Sequence, residues 1–268
     1  MLYFLIPICI AIVASLFLFR GRTGHPGLNH LQGWAYAHRG LHKIGVPENS
    51  MAAFREALDH GYGIEFDVHL MSDGGLAVIH DASLQRTAGA DVNIEDLRTE
   101  DLACYRLENT DETIPLFENV LDLYDGKAPL IVELKPVNNH ERLCEAIAQA
   151  LDCYHGVFCV ESFDPRCIAW FKKNRPQYIR GQLAENFFAS PKSTLPVILK
   201  CVMSWNLSIF LTMPDFLAYK FADRQNITVK LCRNLWKLQG VTWTLRSKEE
   251  YNCAVSEGWI PIFENFYP

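Results

Sequence analysis

Four short pieces of this sequence bring together residue types that could do chemistry: His38-Arg39-Gly40, Glu65-Phe66-Asp67, His80-Asp81 and Glu133-Leu134-Lys135. Each lies in or directly after a short apolar run, so each reads as part of a β-strand or its exit rather than as a solvated helix face. Successive side chains of a strand point to opposite faces, so a spacing of two puts Glu65 with Asp67, and Glu133 with Lys135, on one face. Three carboxylates on neighbouring strands repel strongly unless a cation lies among them, and an all-oxygen set suits a hard divalent ion, Ca2+ or Mg2+. Zinc fits less well, because no cysteine joins the set and the histidines are scattered. His38 and His80 are the only two of the nine histidines that directly follow a short apolar run, and they suit general acid and base work near neutral pH. Arg39 and Lys135 add fixed positive charge where a phosphate could bind and where a five-coordinate phosphorus would develop extra charge.

These residues need a scaffold that gathers several strand ends. Eight apolar runs are candidate strands: 35–38, 63–70, 129–135, 156–161, 179–183, 208–213, 241–245 and 259–263. Helical patterns lie between them over 50–60, 139–151, 165–174 and 248–257, the first with Asn49 or Ser50 able to cap it. Repeated strand-then-helix units imply right-handed crossovers and a parallel sheet, and eight of them close most simply into an α/β architecture, the (β/α)8 TIM barrel. In that fold catalytic groups project from the C-terminal strand ends, which is where the four pieces fall. Segment 82–115 holds turn residues and a charged stretch but no long apolar run, and is expected as a small insertion after the second strand.

Composition narrows the function classes. With 268 residues and 49% hydrophobic content there is material for one sizeable domain, expected over 34–268. A formal charge of −6 and a pI near 5.8 leave no broad basic surface, so nucleic acid is not an expected partner. Nine cysteines include no C-x-x-C pair, which argues against a disulfide framework and for buried, reduced thiols. Residues 2–19 carry no charge and end at Arg20 and Arg22, so 1–20 is expected as a transmembrane anchor with 21–33 as a linker or a loop closing the barrel floor. Positive charge after that run would place the catalytic domain of a single-pass membrane protein in the cytoplasm.

The motifs also stand in a recognisable order. His38-Arg39-Gly40, Pro47-Glu48-Asn49-Ser50, Glu65-Phe66-Asp67-Val68, Asp73-Gly74 through His80-Asp81, Leu84-x-Arg86-Thr87, Ile114-Pro115, Glu133-Leu134-Lys135, Ser162-Phe163-Asp164 and Trp243-Thr244 resemble the glycerophosphodiester phosphodiesterase family. The resemblance implies a barrel with a small insertion after the second strand. It further implies that Glu65, Asp67 and Glu133 hold one divalent cation, that His38 and His80 are acid and base, and that Arg39 and Lys135 grip the phosphate. Glu48 and Asn49 would support the metal cluster, and Trp243 would form an aromatic wall for the glycerol or head group. One departure stands at the end of the chain, where the family commonly carries Thr-Asp-x-Pro and this sequence reads Phe263-Glu264-Asn265-Phe266-Tyr267-Pro268. The expected reaction is hydrolysis of a glycerophosphodiester to sn-glycerol 3-phosphate and an alcohol. Two alternatives are a membrane lysophospholipase D acting on lysophospholipids and a catalytically silent phosphodiester-binding membrane protein.

Overall fold

The computed structural model describes residues 16–136, 138–190 and 193–268. Among the described residues nine strands form one sheet: β1 (Tyr36–His38), β2 (Gly63–Leu70), β3 (Leu76–Val78), β4 (Leu130–Leu134), β5 (Phe158–Ser162), β6 (Arg180–Ala184), β7 (Phe216–Lys220), β8 (Gln239–Leu245) and β9 (Trp259–Phe263). All but β3 run parallel, and β1 pairs with both β2 and β9, so eight parallel strands close into a barrel. The short β3 adds antiparallel to β2, with Val68 opposite Val78 and Leu70 opposite Leu76. Segment 79–116 follows as short helical turns around a satellite core that includes Ile79, Leu84, Ile94, Leu102, Leu107 and Ile114.

The period of two sorts the strand residues. Ala37, Ile64, Phe66, Val68, Val132, Val160 and Leu217 face outward into the core shared with the helices. Tyr36, Ile131, Cys159, Phe216, Val241 and Ile260 face inward and fill the lower barrel. The inward layers are tight. A Cβ on Gly181 would sit 2.0 Å from the Phe216 ring, so β6 has no side chain there because β7 supplies one.

Four outer helices match the sequence pattern: α1 (Met51–Asp59), α2 (His140–Asp152), α3 (Pro165–Asn174) and, near the end of the chain, Lys248–Ser256. Ser50, Asn139, Asp164 and Ser247 each accept a backbone N–H of the first turn, satisfying one of the helix's orphan donors.

Two expectations are corrected. The run 208–213 is not a strand: Ile209–Thr212 is a helical turn and the strand begins three residues past the end of the run, at Phe216–Lys220. Short apolar runs do not distinguish the two, and here Pro214-Asp215 is the break that precedes the strand. The second correction is the single-pass membrane protein with a cytoplasmic catalytic domain. No helix among the described residues is long and apolar enough to cross a membrane. Positions 1–15 of the expected anchor lie outside the described residues, and its last residues dock on the barrel instead. Trp236 Nε1–H donates to the Leu16 carbonyl at 2.9 Å, the Phe17 ring lies 5.0 Å from that of Trp236, and Arg22 pairs with Asp215 at 2.5 Å.

Candidate active site

The inward face turns polar at the C-terminal mouth. Parallel register sets His38 beside Glu65, Asp67 beside Glu133, and Glu133 beside Glu161. Glu65, Asp67 and Glu133 are 2%, 1% and 7% exposed, and one oxygen of each lies within 4.8 Å of the others. His38, Arg39, His80, Lys135 and Trp243 join Glu65 and Glu133 around a cavity of about 230 Å³. Glu48 and Asn49 stand behind it: Arg39 donates to Glu48 at 2.9 Å, and Asn49 Nδ2–H donates to Asp67 at 2.8 Å.

The turn after β1 is built for this. Arg39 and Asn49 both adopt left-handed backbone (φ 55° and 53°), which positions them beside Glu65 and Asp67 and is a conformation retained only where surroundings enforce it. Arg39 N–H donates to the Glu65 carbonyl at 2.7 Å, and Asn49 N–H to the Arg39 carbonyl at 2.9 Å. Gly40 completes the turn at φ 79°, and a Cβ there would meet α1 backbone at 2.9 Å.

The electrostatics are those of crowded acids. Burial, then the charges of Asp67, Glu133 and Glu161, raises the Glu65 carboxyl well above its usual range. Burial also raises Glu133, although Lys135 at 2.5 Å pulls it down. Burial would raise Asp67 too, but Lys135, His80 and Arg39 and the Asn49 hydrogen bond outweigh it, and this acid is held well below the usual range. Were all four buried acids, Glu65, Asp67, Glu133 and Glu161, ionised, they would outnumber the two fixed cations, Arg39 and Lys135, by two charges. Glu161 Oε2 is buried with no hydrogen-bond partner. An all-oxygen set short of two positive charges fits a hard divalent cation.

Each imidazole is held by a carboxylate. His38 Nδ1 lies 2.7 Å from Glu264, and His80 Nδ1 lies 2.6 Å from Asp81. With Nδ1 as the donor, Nε2 is the free nitrogen of each ring, and His38 Nε2 lies 3.8 Å from Glu65. Burial lowers the His38 pKa despite the Glu264 hydrogen bond, which favours neutral imidazole. His42 also approaches His38 and Glu264, but Glu264 is already engaged in fixing the His38 tautomer.

Sequence reading missed Glu161, Glu185 and Glu264. Glu161 had a signal: it ends an apolar run at the inward spacing of two from Cys159. Glu264 had only its spacing of two from Ile262, since its partner His38 is 226 residues away. Glu185 lines the cavity two residues beyond Leu183 and pairs with Lys220 at 3.0 Å. Trp243 and Phe163 form an aromatic wall, with ring centroids 5.7 Å apart, and Trp243 Nε1 is buried without a partner.

Comparison with known proteins gives this geometry a family. The glycerophosphoryl diester phosphodiesterase family matches residues 38–266, from the first site histidine to beyond Glu264. The chain belongs to this family of phosphoric diester hydrolases. A glycerophosphodiester phosphodiesterase of Bacillus altitudinis is 34% identical over 175 residues, covering 61% of this chain and 71% of that one. A lysophospholipase D of Rattus norvegicus is 34% identical over 105 residues, and the match spans only 33% of its length. Among solved structures, an Oleispira antarctica phosphodiesterase in complex with the product sn-glycerol-3-phosphate superposes with a TM-score of 0.74 at 20% identity, covering 91% of this chain and 95% of that one. A Thermotoga maritima glycerophosphodiester phosphodiesterase gives 0.67 at 22% identity, covering 86% and 93%. At these identities the structural likeness concerns the fold. The phosphodiesterase barrel therefore has its polar mouth at the end of the strands where catalytic sites of such barrels lie.

Proposed function

We propose that this mouth hydrolyses a glycerophosphodiester to sn-glycerol 3-phosphate and an alcohol, with a divalent cation held by Glu65, Asp67 and Glu133. The observation that carries the reading is the convergence of those three buried acids within 4.8 Å beside two carboxylate-oriented imidazoles. When bound, such a cation supplies Lewis-acid polarisation of a phosphoryl oxygen. Arg39 and Lys135 border the same cavity and bind the phosphate, adding fixed charge where the transition state gains it. Asn49 holds Asp67 in place, and Glu48 does the same for Arg39 while also accepting from Arg86 at 2.6 Å.

His38 is the base and His80 the acid. His38, kept neutral by burial and held through Nδ1 by Glu264, takes the proton of the attacking hydroxyl at Nε2. His80, held through Nδ1 by Asp81, gives a proton from Nε2 to the departing alkoxide. Trp243 and Phe163 shape the wall against which the glycerol or head group lies.

The test is hydrolysis of glycerophosphocholine and glycerophosphoethanolamine by the full chain, before and after complete chelation and after return of Ca2+ or Mg2+. Activity should vanish on chelation and recover with one of the two ions. Full activity in excess chelator would remove the metal from the account.

A further inference from the structure

A second group of metal-ligating side chains stands behind His38, at the other edge of its ring from the acids. Ligand atoms of His38, His42 and Glu264 all lie within 4.8 Å of one another. Nε2 of His38 faces Glu65 at 3.8 Å and Nδ1 faces Glu264 at 2.7 Å, so Nδ1 is the His38 atom on this side. Distant parts of the chain supply the group: His38 ends β1, His42 lies in the loop that follows, and Glu264 directly follows β9. Backbone hydrogen bonds pin both flanks, from Leu41 N–H to the Ala53 carbonyl at 3.0 Å and from Glu264 N–H to the Leu245 carbonyl at 2.9 Å. The half-buried His42 ring makes no hydrogen bond among the described residues, so coordination there breaks none.

Two imidazole nitrogens and a carboxylate oxygen are a different donor set from three acids. They suit an ion of borderline softness, and with one water they complete the tetrahedron that Zn2+ takes. Bonds of about 2.0–2.2 Å place such ligands ~3.3 Å apart, so the His38–Glu264 contact opens slightly and His42 closes in. Arg246 lies 3.4 Å from the same Glu264 oxygen, but its side chain is 61% exposed and can turn into solvent as the ion enters. Asn265 occupies the other oxygen, Oε1, at 2.9 Å.

We propose that His38, His42 and Glu264 form an inhibitory Zn2+ site, separate from the acid set, whose occupation switches off the base. A neutral imidazole carries one proton, and in the metal-free ring it sits on Nδ1 and leaves Nε2 as the acceptor. As the zinc–Nδ1 bond forms, the Nδ1–H bond breaks and a proton is taken up at Nε2, so the ring stays neutral and no net proton is released. Nε2–H then donates and cannot accept the proton of the attacking hydroxyl. The inhibition rests on the hydrolytic reading above, whereas the site itself does not.

The experiment titrates Zn2+ into the full chain by calorimetry, with excess Mg2+ or Ca2+ present, beside steady-state hydrolysis of glycerophosphocholine. One zinc should bind per chain, and at saturation kcat should fall by about 10²-fold or more, the loss expected when a general base is silenced. Raising Mg2+ or Ca2+ further should not restore it. His42→Ala should hydrolyse normally without zinc, which also certifies its folding, and should need roughly 10- to 100-fold more zinc both to bind and to be inhibited. Equal zinc sensitivity in the variant, or relief by extra Mg2+ or Ca2+, would assign the zinc to the acids and overturn the proposal. No zinc binding, or binding with turnover intact, would overturn it as well. Absence of hydrolysis in zinc-free Mg2+ and Ca2+ would overturn the underlying reaction instead, and the calorimetric comparison of the two proteins, which needs no turnover, would still decide the site.

Discussion

The two ends of the barrel interior are built from the same strands by the same alternation, yet they obey opposite rules. At the lower end Tyr36, Ile131, Cys159, Phe216, Val241 and Ile260 are apolar and close-packed. Two residues further along several of these strands stand His38, Glu133 and Glu161, at the ligand end. The first region contributes stability by burying apolar area. The second carries buried acids that burial alone would neutralise and that few partners compensate. One end holds the barrel together, and the other uses that rigidity to hold like charges at distances they would not choose.

Substitutions can break this division, beginning with the largest effect. His38→Ala and His80→Ala should each lower kcat by about 10² to 10⁴-fold with the melting temperature little changed, read by steady-state kinetics beside calorimetry. Near-normal rates in either variant would remove that proton transfer from the mechanism. In the lower layer the pattern should reverse: Phe216→Ala should cost about 3–5 kcal/mol of stability by denaturant unfolding, with kcat of the folded fraction nearly intact. A large loss of kcat there would mean the two ends are not separable. Glu264→Gln should fall between them, lowering kcat by roughly 10- to 100-fold because His38 loses the partner that fixes its tautomer.

The smallest effect is on acid stability. Burial alone would raise the Glu264 carboxyl, but the His38 hydrogen bond and the charges of His38 and Arg246 bring it down to about 2. A carboxyl with a depressed folded pKa stabilises the protein above its unfolded value and loses that contribution as pH falls toward the folded value. The protein should therefore lose stability between about pH 4.5 and pH 2, by ~3 kcal/mol at most, and Glu264→Gln should flatten this limb. An identical acid limb in the variant would show that Glu264 is not held as described.

Much of the site could be read along the chain because the alternation of strands is local. Glu65 with Asp67, and Glu133 with Lys135, are fixed to one face by their spacing, and register then brings the two strands together. What could not be read is long-range or ambiguous. The pairing of Glu264 with His38 joins the last strand to the first and exists only once the barrel closes. The sixth parallel strand, β7, is not found where the sequence suggests because Ile209-Phe210-Leu211 looks as apolar as Phe216-Leu217-Ala218, and only the Pro214-Asp215 turn separates helix from strand. The family's closing motif is absent, yet the residue in its place reaches His38, so the departure lies closer to the chemistry than the sequence alone suggested.

The central claim is that three acids of neighbouring strands share one cation. Calorimetric titration of the metal-free full chain with Ca2+ and Mg2+, beside a Glu65→Gln/Asp67→Asn/Glu133→Gln variant, tests it most directly. The account predicts one bound ion per chain in the unaltered protein and none at this site in the variant. Equal binding by both proteins would contradict it.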